Sequence, residues 1–192
     1  MSIAIITGSG GLIGAESVKF FSKKFGKIIG IDNDLRKYFF GKSASVKANI
    51  NLLKKEIKNY NHKHIDIRNN QKIESIFKSY KKNIKFILHC AAQPSHDWAA
   101  KEPFTDFTTN TLGTLNILEN MRKYCPNAKL AYLSTNKVYG DRPNTLPIKE
   151  NKKRYELNKN HKFYKKGIDE KMSIDNSKHS LFGASKLAGD IY

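Results

Sequence analysis

The segment Gly8-Ser9-Gly10-Gly11-Leu12-Ile13-Gly14 follows directly on the apolar run Ser2–Thr7 and opens a stretch of helical periodicity. A strand, a glycine-rich bend and a helix, in that order, make a cradle for phosphate. Gly8 lets the chain turn tightly as it leaves the sheet. Gly11, lacking a Cβ, lets a pyrophosphate approach the backbone, and Gly14 lets the helix pack close to the strand. With Gly10, Leu12 and Ile13 these residues form the candidate loop, whose helix start offers free N–H groups and a partial positive charge to an anion. Asp32 ends the second apolar run eighteen residues past Gly14, where its carboxylate can accept both hydrogen bonds of an adenosine ribose diol. An acid at that point repels a 2′-phosphate, so the cofactor expected is NAD rather than NADP. Asn33 borders the same site, as does Arg36, the one neighbour suited to a phosphate. The plain alternative is a glycine-rich turn without a ligand, and the coincidence of strand, glycines, helix and acid argues against it.

Further candidates extend the site. Asp66-Ile67 can hold an adenine amino group and ring nitrogen through a side chain and the neighbouring N–H. His89-Cys90-Ala91-Ala92-Gln93 ends another apolar run in small residues, as expected where backbone lines a cofactor. His89 reads better as a hydrogen-bonded core histidine, and Cys90 as a small buried apolar residue.

The elements that must position these groups alternate between apolar strands and amphipathic helices, the pattern of a parallel α/β sheet. The expected strands are Ser2–Thr7, Lys27–Asp32, Lys63–Ile67, Lys85–His89 and Lys129–Leu133. Helices are expected over Leu12–Lys24, Val46–Ile57, Asn70–Tyr80 and Phe104–Tyr124. The last should bury a stripe of Phe107, Leu115, Leu118 and Met121 and stop at Pro126. A loop is expected around Phe39-Phe40-Gly41. From Asp141 periodicity fades into a polar, lysine-rich excursion, residues 141–178, after which helical character resumes at His179–Tyr192. No internal repeat or low-complexity tail is present.

At 192 residues the chain has room for one domain with a real core. No apolar run approaches the ~18–20 residues that cross a bilayer, so no membrane association is expected. The start has no basic region and reaches glycine too early for a secretory signal. Two cysteines, Cys90 and Cys125, suffice for neither a disulfide framework nor a zinc cluster, so no metal and a reducing cytoplasm are expected. The net charge of +18 comes from 35 Lys+Arg against 17 Asp+Glu. The excess is lysine spread along the chain, which codon bias toward Lys, Asn and Ile explains. Without a clustered basic stripe, nucleic acid is not the expected partner. A positive field that attracts a phosphorylated small molecule is the better reading.

Taken together, Thr7–Gly14, Asp32-Asn33, Asp66-Ile67-Arg68, Ala91-Ala92-Gln93, and Asn110 followed by Gly113-Thr114-Leu115-Asn116 resemble the extended short-chain dehydrogenase/reductase, or NAD-dependent epimerase/dehydratase, family. Ser134-Thr135-Asn136-Lys137-Val138-Tyr139-Gly140-Asp141, Gln93-Pro94-Ser95-His96-Asp97-Trp98 and His179–Lys186 look most like its CDP-paratose 2-epimerase (CDP-tyvelose epimerase) branch. The resemblance implies a doubly wound Rossmann-type parallel sheet of about five strands, holding NAD tightly. It also implies a nucleotide-diphospho-sugar substrate, such as a CDP-sugar, and a possible homodimer. In that chemistry a Tyr-x-x-x-Lys pair and a Ser/Thr hydroxyl surround the sugar carbinol. The phenol takes the hydroxyl proton as C2 gives hydride to the nicotinamide, and the ketone takes the hydride back on its other face. The lysine lowers the phenol pKa and holds the nicotinamide ribose. By resemblance Asn110 belongs to the cofactor site, and Thr135 and Lys186 are the hydroxyl and the lysine, with Ser134 the neighbour that faces the core. Gln93, Ser95, Thr135 and Asn136 are candidate sugar contacts, with Trp98 a packing residue.

Two features depart from the pattern. Position 182, four before Lys186, is Phe, which has no proton to exchange. Tyr139 and Tyr192 lack that helical relation to Lys186. Three arrangements fit: catalysis with Thr135, Lys186 or a water as base; binding of NAD and a nucleotide sugar without turnover; or a decayed or truncated copy. The chain also ends at Tyr192, where family members continue into a smaller, substrate-gripping lobe. The expectation is therefore that residues 1–192 are the N-terminal, NAD-binding portion, with the C-terminal lobe absent. Its last strand would then be an open edge suited to a further chain.

Overall fold

The computed structural model describes all 192 residues. β1 (Ile3–Thr7) is buried along its whole length and pairs in parallel with β2 (Lys27–Ile31), Thr7 standing opposite Ile31. The glycine bend leads into α1 (Leu12–Phe21). After β2 come a short α2 (Arg36–Phe40) and α3 (Lys47–Glu56), then β3 (Tyr60–Lys63), α4 (Asn70–Tyr80) and β4 (Ile84–His89). Next are α5 (His96–Lys101), α6 (Pro103–Phe107), a π-helical turn at Thr108–Leu112, α7 (Gly113–Tyr124) and β5 (Lys129–Tyr132). A 3₁₀ turn at Asn136–Tyr139 precedes the excursion, which contains an antiparallel pair, β6 (Ile148–Glu150) and β7 (Tyr155–Leu157); α8 (Leu181–Ile191) follows.

The sheet order is β3-β2-β1-β4-β5, all parallel. Alternate side chains of β1 feed two cores. Ile3 and Ile5 pack with Ile29, Ile31, Ile73, Phe77 and Ile117, under α4 and α7. Ala4 and Ile6 pack with Ala15, Val18, Leu53 and Tyr60, under α1 and α3. The chain winds from β1 outward through β3, then crosses back to β4 on the other flank of β1. This reversal opens a crevice at the carboxyl ends of β1 and β4, where open α/β sheets bind ligands.

Several boundaries differ from the sequence reading. β3 lies three residues earlier, because the four residues that pair with Ile28–Ile31 are Tyr60–Lys63. Ile65 and Ile67, which imitate a strand by flanking Asp66, are loop residues packed against the α4/α7 core. The helix expected over Phe104–Tyr124 is broken by the π turn, which rotates its faces. Phe107 is 54% exposed, and the buried face carries Asp106, Thr109, Asn110, Thr111, Thr114, Asn116, Ile117 and Asn120. Of the expected stripe Met121 packs against the core, and the polar groups displace the rest because all but Thr109 find side-chain hydrogen-bond partners inside, as described below. The region around Phe39 is helical rather than a loop. The excursion is not wholly irregular: besides its β pair, it buries Phe163 and Met172.

Candidate functional site

The glycine bend is held rigidly. Gly8 has φ +65 and donates its N–H to Ile31 O at 2.7 Å, which fastens the turn to the end of β2. The Gly10 amide donates to Asp32 Oδ2 at 2.9 Å, and the Asp34 amide donates to Asp32 Oδ1 at 2.8 Å. Burial raises the Asp32 carboxyl above its usual value despite those two bonds. A Cβ on Gly10 would strike Val46 and Ile50, so Gly10 faces α3 and orients the acid without lining the cleft. Gly11, the N-cap of α1, has no side chain to satisfy the helix start, unlike Asn69, Ser95 and Ser180, which cap α4, α5 and α8. The amides of Leu12, Ile13 and Gly14 donate to no acceptor within the chain. They face a cleft of about 310 Å³. Three adjacent, unused N–H groups at a helix start are able to accept an anion.

The cleft wall includes Gly8, Gly11, Leu12, Ile13, Gly14, Asp32, Asn33, Arg36, Asp66, Ile67, Ala91 and Ala92, all expected from sequence. Burial alone would raise Asp66, but the Arg68 guanidinium, at 2.6 Å, and Asn33 Nδ2, at 3.0 Å, hold it below the usual carboxylate range. Ile31, Ile65, Cys90 and Pro94 also line it, as do Leu35, Phe39, Val46, Thr109 and Leu133, which carry no site signal in the sequence. Thr109 is notable chemically: it is 4% exposed, it lines the cleft, and its hydroxyl has no hydrogen-bond partner. An orphaned buried hydroxyl is costly unless a ligand completes it. Apolar walls, two carboxylates, three free amides and this hydroxyl together fit an adenine dinucleotide.

Other expected residues lie behind the wall. Gln93 is 1% exposed; its Nε2 donates to Asp106 Oδ1 and to Ser95 O, each at 2.8 Å, and its Oε1 accepts from the Ser95 amide. Asn110 Oδ1 accepts from the Gln93 amide at 2.8 Å, and Asn110 Nδ2 donates to Gln93 O, Asp106 Oδ1 and Ser185 Oγ. Ser95 Oγ accepts from the Trp98 amide at 3.2 Å. Gln93, Ser95 and Asn110 thus knit the β4 loop, the π turn and α8 together instead of pointing into the cleft. His89 is 1% exposed and paired to Thr7 and Thr114. The Thr114 hydroxyl donates to Asn110 O, so it accepts from His89 Nε2–H, and Nδ1 accepts from Thr7. Burial pushes this imidazole down to about 3, which keeps it neutral.

α8 sets Phe182 and Lys186 one turn apart on one face. Phe182 is half-buried, whereas Lys186 is 3% exposed and donates from Nζ to Leu133 O at 2.7 Å, with Nζ 4.1 Å from the Tyr132 ring centre. Burial lowers the Lys186 ammonium to about 8, against the opposing pull of Asp190, Asp106 and Cys90. The Cys90 thiol is pushed up to about 12 by burial. Thr135 is half-buried and caps the 3₁₀ turn by accepting from the Lys137 amide at 3.3 Å; Ser134 and Asn136 are exposed, so Ser134 does not face the core. His179 Nε2 bonds Val138 O at 2.9 Å, tying the start of α8 to that turn.

The NAD dependent epimerase/dehydratase family matches residues 4–192. Over 193 residues the chain is 32% identical to CDP-paratose 2-epimerase of Salmonella typhi, covering 98% of this chain and 51% of that protein. Over 161 residues it is 30% identical to dTDP-glucose 4,6-dehydratase of Salmonella typhimurium, covering 75% and 42%. The solved UDP-Glc/GlcNAc 4-epimerase of Campylobacter jejuni superposes with a TM-score of 0.72 at 21% identity, over 100% of this chain and 47% of that one. The UDP-glucose 4-epimerase of Thermus thermophilus, solved as a complex with NAD, gives 0.67 at 24% identity over 99% and 49%. At these identities the structural likeness concerns the fold. The chain spans about half the length of the curated relatives it matches, or less.

Proposed function

Because this chain belongs to the NAD dependent epimerase/dehydratase family, we propose that it holds NAD in the cleft above β1 and acts as a nucleotide-sugar epimerase-like protein, its sugar a CDP-linked one. The observation that carries the cofactor part is the trio of unpartnered amides at Leu12, Ile13 and Gly14, set beside Asp32 and the orphaned Thr109 hydroxyl. The amides take the pyrophosphate, Asp32 the adenosine ribose diol, and Asp66-Ile67 the adenine edge. Thr109, which lines the cleft as Leu133 does, completes its hydrogen bonding on the bound cofactor. When bound, NAD supplies reversible hydride acceptance from the sugar carbinol. The chain's own residues handle the proton. Lys186, buried and lowered to about 8, is neutral in about one molecule in ten at pH 7, far more than an ordinary lysine, and is the group able to take a hydroxyl proton where Phe182 has none. Thr135, which caps the 3₁₀ turn packed against α8, supplies a hydroxyl.

A second reading is favoured by Phe182 itself: binding of NAD and a nucleotide sugar without turnover. The two part in one experiment. The folded protein is loaded with NAD and incubated with CDP- and UDP-hexoses, and the sugars are read by NMR for inversion at a single carbon. Epimer formed by the native chain and lost in Lys186→Met supports catalysis. Saturable sugar binding with no epimer supports the second reading.

A further inference from the structure

β1 lies between β2 and β4, so residues that follow β2 can touch residues that follow β4 only by passing over the carboxyl end of β1, where the glycine bend sits. They do touch. The Tyr38 and Trp98 ring centres are 5.7 Å apart, and those of Phe39 and Trp98 are 5.5 Å apart. The Tyr38 hydroxyl donates to Glu102 Oε1 at 2.6 Å. Phe39 is 6% exposed and faces the cleft together with Leu35 and Arg36 from the same segment, while Pro94 approaches from the α5 side. Asp34 anchors the near end of this bridge. It has φ +59, and its carboxylate accepts from the Val46 amide at 2.7 Å and Ser45 Oγ at 2.8 Å. Lys101 covers Trp98 at 5.4 Å.

We propose that Leu35–Phe40 and α5 form a strap across the dinucleotide cleft, latched by Tyr38–Glu102 and by the packing of Phe39 and Tyr38 on Trp98, which must open for the cofactor to enter or leave. The inference rests on the cofactor reading above and deepens it by naming the groups that gate that site. The latch is a single phenol–carboxylate bond and one aromatic cluster, contacts that open without unfolding the sheet. Both halves of the latch are side chains of the protein itself. The latch therefore holds the strap closed with or without cofactor, and loosening it speeds entry and exit together while leaving Kd almost unchanged.

Trp98 is the only tryptophan in the chain, so its fluorescence reports directly on the strap. Two variants loosen the latch conservatively: Tyr38→Phe, on a ring that is 57% exposed, and Glu102→Gln. NADH entry and exit are followed by energy transfer from Trp98 in a stopped-flow instrument, and acrylamide quenching of Trp98 is measured without nucleotide. In both variants the association and dissociation rates should rise about fivefold each, with Kd within twofold of wild type. Quenching of the nucleotide-free protein should rise as well. Wild-type exchange rates in both variants overturn the strap. So does a rise in dissociation alone, which would make these residues simple contacts. If the folded wild type binds neither NAD nor NADH, the cofactor reading falls and the strap with it. Increased quenching with unchanged nucleotide rates would leave the cofactor reading standing and sink the gate.

Discussion

Gly11→Ala separates a glycine kept for the fold from one kept for a ligand. Gly11 has φ −70 and ψ 171, an extended conformation open to alanine. A Cβ built there lies 3.4 Å from Gly8 O and meets nothing else within 4 Å, so it points into the cleft. For the fold, alanine is a poorer N-cap than glycine by about 0.5–1 kcal/mol. Reduced freedom of the unfolded chain returns about 0.4–1 kcal/mol, so the melting temperature should move by no more than about 3 °C. For the ligand, the methyl group stands where a phosphate must approach the Leu12, Ile13 and Gly14 amides. Weakening two or three charge-assisted bonds, each worth about 1.5–3 kcal/mol at full strength, should raise the Kd for NAD about 100-fold. Calorimetric titration with NAD, paired with a thermal melt, measures both. A normally folded Gly11→Ala protein that binds NAD within threefold of wild type would refute the placement of the pyrophosphate. Gly14→Ala makes the contrast: its Cβ would fall 2.0 Å from Gly8 O, so that change should cost the fold itself.

Three further outcomes follow from the site. Lys186 sits at about 8 in the folded protein and higher when unfolded, so the unfolded chain binds more protons between those values and stability rises with pH across that window. Lys186→Met should therefore be more stable than wild type at pH 7, by up to about 3 kcal/mol, with the gap closing from pH 8 toward 10.5 in urea melts. His89 is neutral when folded, at about 3, and takes a proton near 6.5 when unfolded; stability should fall as pH drops below 6.5, by about 5 kcal/mol in the limit. His89→Gln should flatten that acid limb in equilibrium unfolding. Phe182→Tyr sets a phenol one turn from Lys186, and a sugar-turnover assay should show at least a roughly tenfold gain over the native chain. Activity that falls in this variant would mean the native site uses a different proton acceptor.

The glycine bend and the position of Asp32 at the end of β2 are legible because they depend on residue type at fixed spacing along neighbouring strands, and local sequence encodes spacing well. The reading of β3 failed where Ile65 and Ile67 alternate around Asp66, since period-two apolarity marks a cleft-lining loop as readily as a strand. The helix expected over Phe104–Tyr124 differs because the apolar stripe of Phe107, Leu115, Leu118 and Met121 competes with a polar one for the interior. Asp106, Thr109, Asn110 and Thr114 recur at helical spacing among themselves, and that polar periodicity was the available sign of a satisfied interior network and of the π turn. Gln93, Ser95 and Asn110, expected as cofactor or sugar contacts, bond one another, Asp106 and Ser185 behind the cleft wall, because a side chain's aim depends on partners far away in sequence. Thr109, one residue from Asn110, carries the free hydroxyl instead.

The central claim is that the bend after β1 seats an adenine dinucleotide. Titrating the folded chain with NAD and with NADH in a calorimeter tests it directly. The account predicts saturable one-to-one binding, with NADP bound at least about tenfold more weakly because Asp32 repels a 2′-phosphate. Absence of heat with both NAD and NADH, on protein shown by circular dichroism and melting to be folded, would contradict it.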